Sequence, residues 1–186
     1  MKKEINWIYK VFLLSFIFSV IFSGVSTVLV ENLNTIALTI ILIAVIIIGI
    51  IFDMIGVAVL TSEEASLHAR ASKKIRGAKE AISLLKNSTK VSSICNDVIG
   101  DICGIVSGSL GAVLTLTIVN TFKLPNTITT MIITAIIGAA TVGGKAMCKG
   151  IATKNSDTIV FTVGKIKSFL TLKKNKLKKT LYLISL

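Results

Sequence analysis

Four stretches of this chain are each long and apolar enough to cross a bilayer as a helix, and nothing else in the sequence constrains its fold so strongly. A helix rising ~1.5 Å per residue needs about 20 apolar residues to span the hydrocarbon core. The stretches at 8–30, 35–60, 91–119 and 126–147 reach that length. In hydrocarbon the backbone must satisfy its own hydrogen bonds, so such runs fold as helices. The chain is 53% hydrophobic with mean hydropathy +0.84, whereas an ordinary soluble domain is roughly 45–50% apolar with glycine included. These features predict an all-α fold, a polytopic transmembrane helix bundle of about four spans plus amphipathic interfacial helices. They argue against a soluble enzyme.

The first run follows Met1-Lys2-Lys3 in the manner of a signal peptide. Its apolar length, Val11 to Val30, exceeds the ~7–15 residues of such a segment, and no small-residue cleavage site follows, so it reads as an uncleaved span. Residues 1–34 form this N-terminal span and a short outer turn. Residues 35–172 form the main transmembrane domain, with a basic cytoplasmic helix over 63–90. Residues 173–186 are a basic tail. Lysines set the orientation: Lys2, Lys3 and Lys10 precede the first span, Arg70 to Lys90 fill the central loop, and the turns between paired spans contain Lys123 alone. By the positive-inside rule both termini and the loop are cytoplasmic, in a multi-pass protein of the cell (inner) membrane. Pro125, the sole proline, falls in a turn where it disrupts no helix.

Net charge is +12, from 21 Lys and Arg against 9 Asp and Glu. The bases sit in blocks beside apolar runs, without the interleaved aromatics that stack nucleic-acid bases, so the expected partners are the lipid bilayer and anionic lipid headgroups and not nucleic acid. In the central loop Ile75, Ala78, Ile82 and Leu85 recur at helical spacing among lysines. That stripe suits a helix in the headgroup layer or one packed on the bundle. The stretch from Thr158 to Leu172 contains Lys165 and Lys167 and reads as interfacial or re-entrant. After it, Lys173, Lys174, Lys176, Lys178 and Lys179 make a polybasic patch suited to an anionic membrane surface, or a solvated tail.

Ionisable residues at membrane depth are costly and usually face the bundle interior. Asp53, Asp97, Asp101 and Lys145 qualify. At helical rise Asp53 lies about 10 Å inside the cytoplasmic face, Asp97 about 9 Å and Asp101 about 15 Å. Asp97 and Asp101 are spaced to share one helix face, with Asn96 beside it. Gly100, Gly104 and Gly108 repeat as a tandem GxxxG that admits a closely packed helix. Clustered carboxylates and close backbones point to a cation held by hard oxygen ligands, as Mg²⁺ requires: Asp53, Asn96, Asp97 and Asp101, with Lys145 as gate or counter-ion. The competing reading is a structural pairing of carboxylate with Lys145. Cys95, Cys103 and Cys148 match no zinc or disulfide pattern and read as buried apolar side chains. Gly144-Lys145-Ala146 lacks the rest of a phosphate loop, His68 stands without a second ligand histidine, and no hydrolase or transferase motif is visible.

From about Ile41 to Leu170 the chain resembles the transmembrane domain of the CorB/CorC and cyclin M family of magnesium transporters. The likeness lies in Phe52-Asp53-Met54-Ile55-Gly56-Val57-Ala58-Val59, in the basic helix Gly77 to Asn87 leading into Cys95-Asn96-Asp97-Val98-Ile99-Gly100, and in Gly144-Lys145-Ala146-Met147-Cys148-Lys149. The resemblance implies a homodimer whose polar helix residues coordinate Mg²⁺. Asn96 and Lys149 match the family pattern, and Asp97 stands for an Asn. Lys145 stands where the family has an acidic residue, Cys148 where it has a proline, and Gly56 where it has a Glu. The family's CBS-pair regulatory domains have no counterpart here. Two functions follow: a divalent-cation (Mg²⁺/Co²⁺) transporter domain, or a non-transporting assembly or regulatory module in which Lys145 neutralises the carboxylates.

Overall fold

The computed structural model describes residues 8–9, 11–21, 24 and 34–184, with side chains described as far as Thr171. Among them every regular element is helical: α1 (Val11–Ile21), α2 (Thr35–Thr61), α3 (Glu64–Ser72), α4 (Ala78–Leu85), α5 (Ser88–Ser93), a π-helical segment (Ile94–Gly100), α6 (Asp101–Phe122), α7 (Asn126–Lys154) and α8 (Ser156–Ile184). Three are long and apolar enough to cross a membrane: α2, the continuous stretch Ser88–Phe122, and α7. Of the expected first span, α1 is the described part, and the rest of 22–33 lies mostly outside the described residues.

Local chemistry fixes the ends of these helices. Asn34 Oδ1 accepts a hydrogen bond from the Ala37 N–H at 3.0 Å, capping the first turn of α2. Lys123 ends α6 in the left-handed conformation with φ 52°, donating its N–H to the Val119 carbonyl. Pro125 precedes α7, where its lack of an N–H costs nothing, and its carbonyl accepts from Thr129 N–H at 3.2 Å.

The chain divides into two compact units, residues 1–54 with 93–148 and residues 55–92 with 149–186. In the first, Val98, Ile102, Val106, Leu110 and Leu114 recur every four residues and pack with Leu38 and Leu42 of α2. Such a row is the i±4 ridge of a helix surface. Buried hydroxyls return to their own helix, which spares apolar surroundings an unpaired donor: Ser107 donates to the Gly104 carbonyl at 3.0 Å and Thr115 to that of Gly111 at 2.8 Å. The apolar side chains of α7 are largely exposed, as lipid-facing side chains are.

In the second unit the expected single basic helix over 63–90 is instead α3, α4 and α5. The Lys74 N–H bonds to the Ala71 carbonyl at 2.9 Å and the Ile75 N–H to that of Arg70 at 3.2 Å. With Lys74 at φ 54° this is the Schellman ending of α3. Gly77, at φ 92°, then starts α4 in a new phase. The break turns Ile75 outward and makes Ala78, Ala81, Leu84 and Leu85 the buried face. That face packs on α8. The approach is backbone to backbone: a methyl group on Gly164 would stand 2.5 Å from the Gly77 carbonyl oxygen and 2.8 Å from the Ala81 nitrogen. The short segment expected from Thr158 to Leu172 is part of one helix continuing to Ile184. Phe161, buried on α8, has the Arg70 guanidinium and the Lys165 ammonium each 4.6 Å from its ring centre.

Candidate functional site

Three glycines bring α2, the π segment and α7 close enough to place an ion pair among them. A methyl group on Gly49 of α2 would lie 2.9 Å from Cys103 Cβ of α6. One on Gly144 of α7 would collide with Ile50 Cδ1 of α2. One on Gly100 would stand 3.5 Å from Lys145 Nζ and 3.5 Å from the Cys95 carbonyl oxygen. One turn beyond Gly49, Asp53 is 5% exposed. Lys145 Nζ lies 3.8 Å from Asp53 Oδ1. Among the described residues, Asp53 Oδ2 is buried with no hydrogen-bond partner. At 3.8 Å the pair is electrostatic without a direct hydrogen bond, so desolvation of the carboxylate is only partly offset.

The π segment falls where Cys95-Asn96-Asp97 stand in the sequence. Its i→i+5 bonding widens the turn, a geometry that recurs at functional sites. Asn96 is half-buried there and Gly100 is buried. Asp97 is exposed and accepts a hydrogen bond from Ser93 Oγ at 2.8 Å. Asp101 is exposed as well.

The expected set of ligands is therefore divided. Asp53 and Lys145 meet, while Asp97 and Asp101 are exposed on the Ser88–Phe122 stretch. Among the described residues no group of three or more His, Cys, Asp or Glu side chains could hold a metal ion. Among the described residues Asp53 is the one buried carboxylate and Lys145 supplies its counter-charge, so the described side chains of a single chain do not assemble a Mg²⁺ ligand set. The glycine stripe is divided too. Gly100 makes room for Lys145, whereas at Gly104 and Gly108 nothing among the described residues stands within 4 Å of the missing side chain. In the first unit the closest helix contacts are made at Gly49, Gly111 and Gly144. The sequence signal for Gly49 is its place four residues before Asp53 on an otherwise bulky aliphatic run. The side chains of Lys173, Lys174, Lys176, Lys178 and Lys179 lie outside the described residues, and their backbone is helical.

A second polar junction lies in the other unit and was not anticipated. Asp157 Oδ1 accepts from Ser62 Oγ at 2.7 Å and from the Glu63 N–H at 3.0 Å. Glu63 is the N-cap of α3 and its own side chain makes no cap, while Asp157 of α8, from a distant part of the chain, accepts the N-cap residue's own N–H, the bond a capping-box acid makes. Ser156 Oγ also reaches the Thr61 carbonyl at 3.4 Å. Partial burial pushes the Asp157 carboxyl up, but the hydroxyls of Ser62 and Ser66, the Glu63 N–H and the Arg70 charge outweigh it and hold the group below the usual carboxylate range. Compared with family models, curated proteins and solved structures, the chain gives no match.

Proposed function

We propose that this chain is an integral membrane module built on the plan of a magnesium-transporter transmembrane domain, with a lysine–aspartate pair where a transporter would bind its cation. The observation behind this reading is the approach of Lys145 Nζ to Asp53 Oδ1 at 3.8 Å, beside Gly100. A tethered ammonium occupies the electrostatic place of a cation and repels another. The module's role is then assembly or regulation within the membrane. A second copy of the chain is the partner that would cover the outward carboxylates Asp97 and Asp101 and the open notch at Gly104 and Gly108, since charged side chains facing lipid cost a few kcal/mol even on lenient scales.

The transporter reading is kept for one observation: Asp53 Oδ2 is buried without a hydrogen-bond partner among the described residues, which leaves acceptor capacity beside the π segment. In that reading Mg²⁺ is cargo and Lys145 a gate that must withdraw. Flux into liposomes loaded with a Mg²⁺-sensitive dye separates the two. The module reading expects no flux from well-folded parent protein, and expects none to be lost in Asp53→Asn. Parent flux that Asp53→Asn abolishes would establish transport instead. Cysteine cross-linking at Gly108 tests the second copy, and a monomer in bilayers would refute it.

A further inference from the structure

Helix α8 has two apolar faces, and the described residues cover only one of them. Val160, Phe161, Gly164 and Ser168 are buried within the second unit. Ile166, Phe169 and Leu170 are 57%, 61% and 59% exposed on the other side. With Arg76 and Lys165 they line an open groove of about 380 Å³. Ile75, turned outward by the break after α3, is exposed in the same unit, and Lys167 is exposed on α8. Among the described residues no acidic side chain lines the groove, and Glu80 lines a neighbouring pocket that Arg76 also borders. The acids described in this unit are Glu63, Glu64, Glu80 and Asp157, and Asp157 is engaged at the start of α3.

We propose that this face of α8, with Ile166, Phe169 and Leu170 as the inserted side chains and Arg76, Lys165 and Lys167 as the rim, docks into the anionic leaflet of the membrane that the chain spans. Two arguments select this occupant. The first is charge complementarity: an apolar strip edged by cations and free of acids matches acyl chains below and phosphates above. The second is continuity of the chain. The long apolar helices α2 and α7 end at Thr61 and Lys154, and α3 and α8 begin at Glu64 and Ser156, just beyond them. The Ser88–Phe122 stretch crosses between them, so both ends emerge on one side, the side that lysine placement marks as cytoplasmic. Lys165 lines the groove with its ammonium over the Phe161 ring, and the stem of the exposed Lys167 is long enough to lie along apolar surface with the ammonium at phosphate level. This surface is independent of whether the chain moves ions.

The test uses the chain's single tryptophan. In a Trp7→Phe background, Phe169→Trp places the probe on the proposed face with little change in size or polarity. The full chain is reconstituted in phosphatidylcholine vesicles with or without phosphatidylglycerol, and the fold is checked by helical circular dichroism. In anionic vesicles the emission is expected to be quenched by brominated lipid and shielded from aqueous iodide. Adding Arg76→Gln with Lys167→Gln should lower partitioning of this face into the anionic leaflet by roughly twenty-five-fold, about fivefold for each cation removed. Three results overturn the proposal: iodide quenching without bromolipid quenching, shielding from both quenchers (which marks a protein partner), and equal bromolipid quenching in neutral and anionic vesicles.

Discussion

The ammonium of Lys145 stands 3.8 Å from Asp53 Oδ1, near enough to neutralise it and too far to hydrogen-bond it. The two ends of the pair are unequal, because the Lys145 side chain is 24% exposed and that of Asp53 7%. Removing one partner of a buried pair costs about 3–5 kcal/mol, chiefly through the charge left behind. Lys145→Ala strands the deeper carboxylate and should fall in that range. Asp53→Asn strands an ammonium on a long stem that can turn outward, and should cost about half as much. The double variant Asp53→Asn with Lys145→Met should recover most of the loss. Thermal unfolding in detergent measures all three, and equal penalties for the two single variants would refute the asymmetry.

Gly49 is the point at which α2 meets Cys103 of α6, with 2.9 Å between Cys103 Cβ and the place of an added methyl group. The contact is close to the backbone, so Gly49→Ala must move a helix, and overpacking of this kind costs about 1–3 kcal/mol. Gly108→Ala meets nothing within 4 Å among the described residues of one chain and should leave monomer stability within about 0.5 kcal/mol. If a second copy packs on that notch, the same alanine should weaken cross-linked dimer without lowering the unfolding temperature. The two glycines thus separate packing within the chain from packing between chains.

The sequence made the helical class legible because span-length apolar runs leave the backbone no other way to satisfy its hydrogen bonds. It also placed Asp53 and Lys145 at similar heights, since rise per residue converts directly to depth. It could not supply helix rotation. Asp97 and Asp101 were assigned inward on the assumption that charge at that depth faces its own bundle, yet a rule of that kind does not say whether the interior belongs to one chain or two. The π segment, with its altered angular step, has no residue signature that composition reveals. The 63–90 stripe failed for a local reason. Lys74 is an uncommon left-handed residue, so the phase change between α3 and α4 carried no glycine at its first break, and only Gly77 was visible. Contacts between distant turns, such as Asp157 with Glu63, have no periodic trace at all.

Gly164 should be among the least tolerant positions described. An alanine there would put its methyl 2.5 Å from the Gly77 carbonyl oxygen and 2.9 Å from Ala81 Cβ, and backbone cannot swing aside as a long side chain can. Gly164→Ala should destabilise the second unit by about 3 kcal/mol or prevent its folding. Gly150→Ala, on α7 with nothing within 4 Å, is the matched control and should be neutral or slightly stabilising through helix propensity. Limited proteolysis in the 62–92 segment reads the difference, and equal resistance in both variants would refute the backbone contact.

Asp157 ties α8 to the start of α3, and that tie depends on its charge. Its carboxyl is held below the usual range in the folded chain, while the unfolded chain titrates near the ordinary value of about 3.9. A group with a lowered folded pKa binds fewer protons folded than unfolded across that interval. Its contribution is therefore complete above the ordinary value and is lost as pH falls through and below it. The group is only partly buried, so solvent screening limits the effect, and Asp157→Ala should cost about 1–2 kcal/mol, the scale of a lost helix cap. Asp157→Asn keeps an acceptor for the Ser62 hydroxyl and Glu63 N–H but loses the charge, and should cost less. The decisive measurement is the pH dependence of unfolding between neutrality and the acid limb. Parent and Asp157→Asn should differ at neutral pH and converge in acid, whereas a constant offset would show that the carboxylate's charge has no part in holding α3.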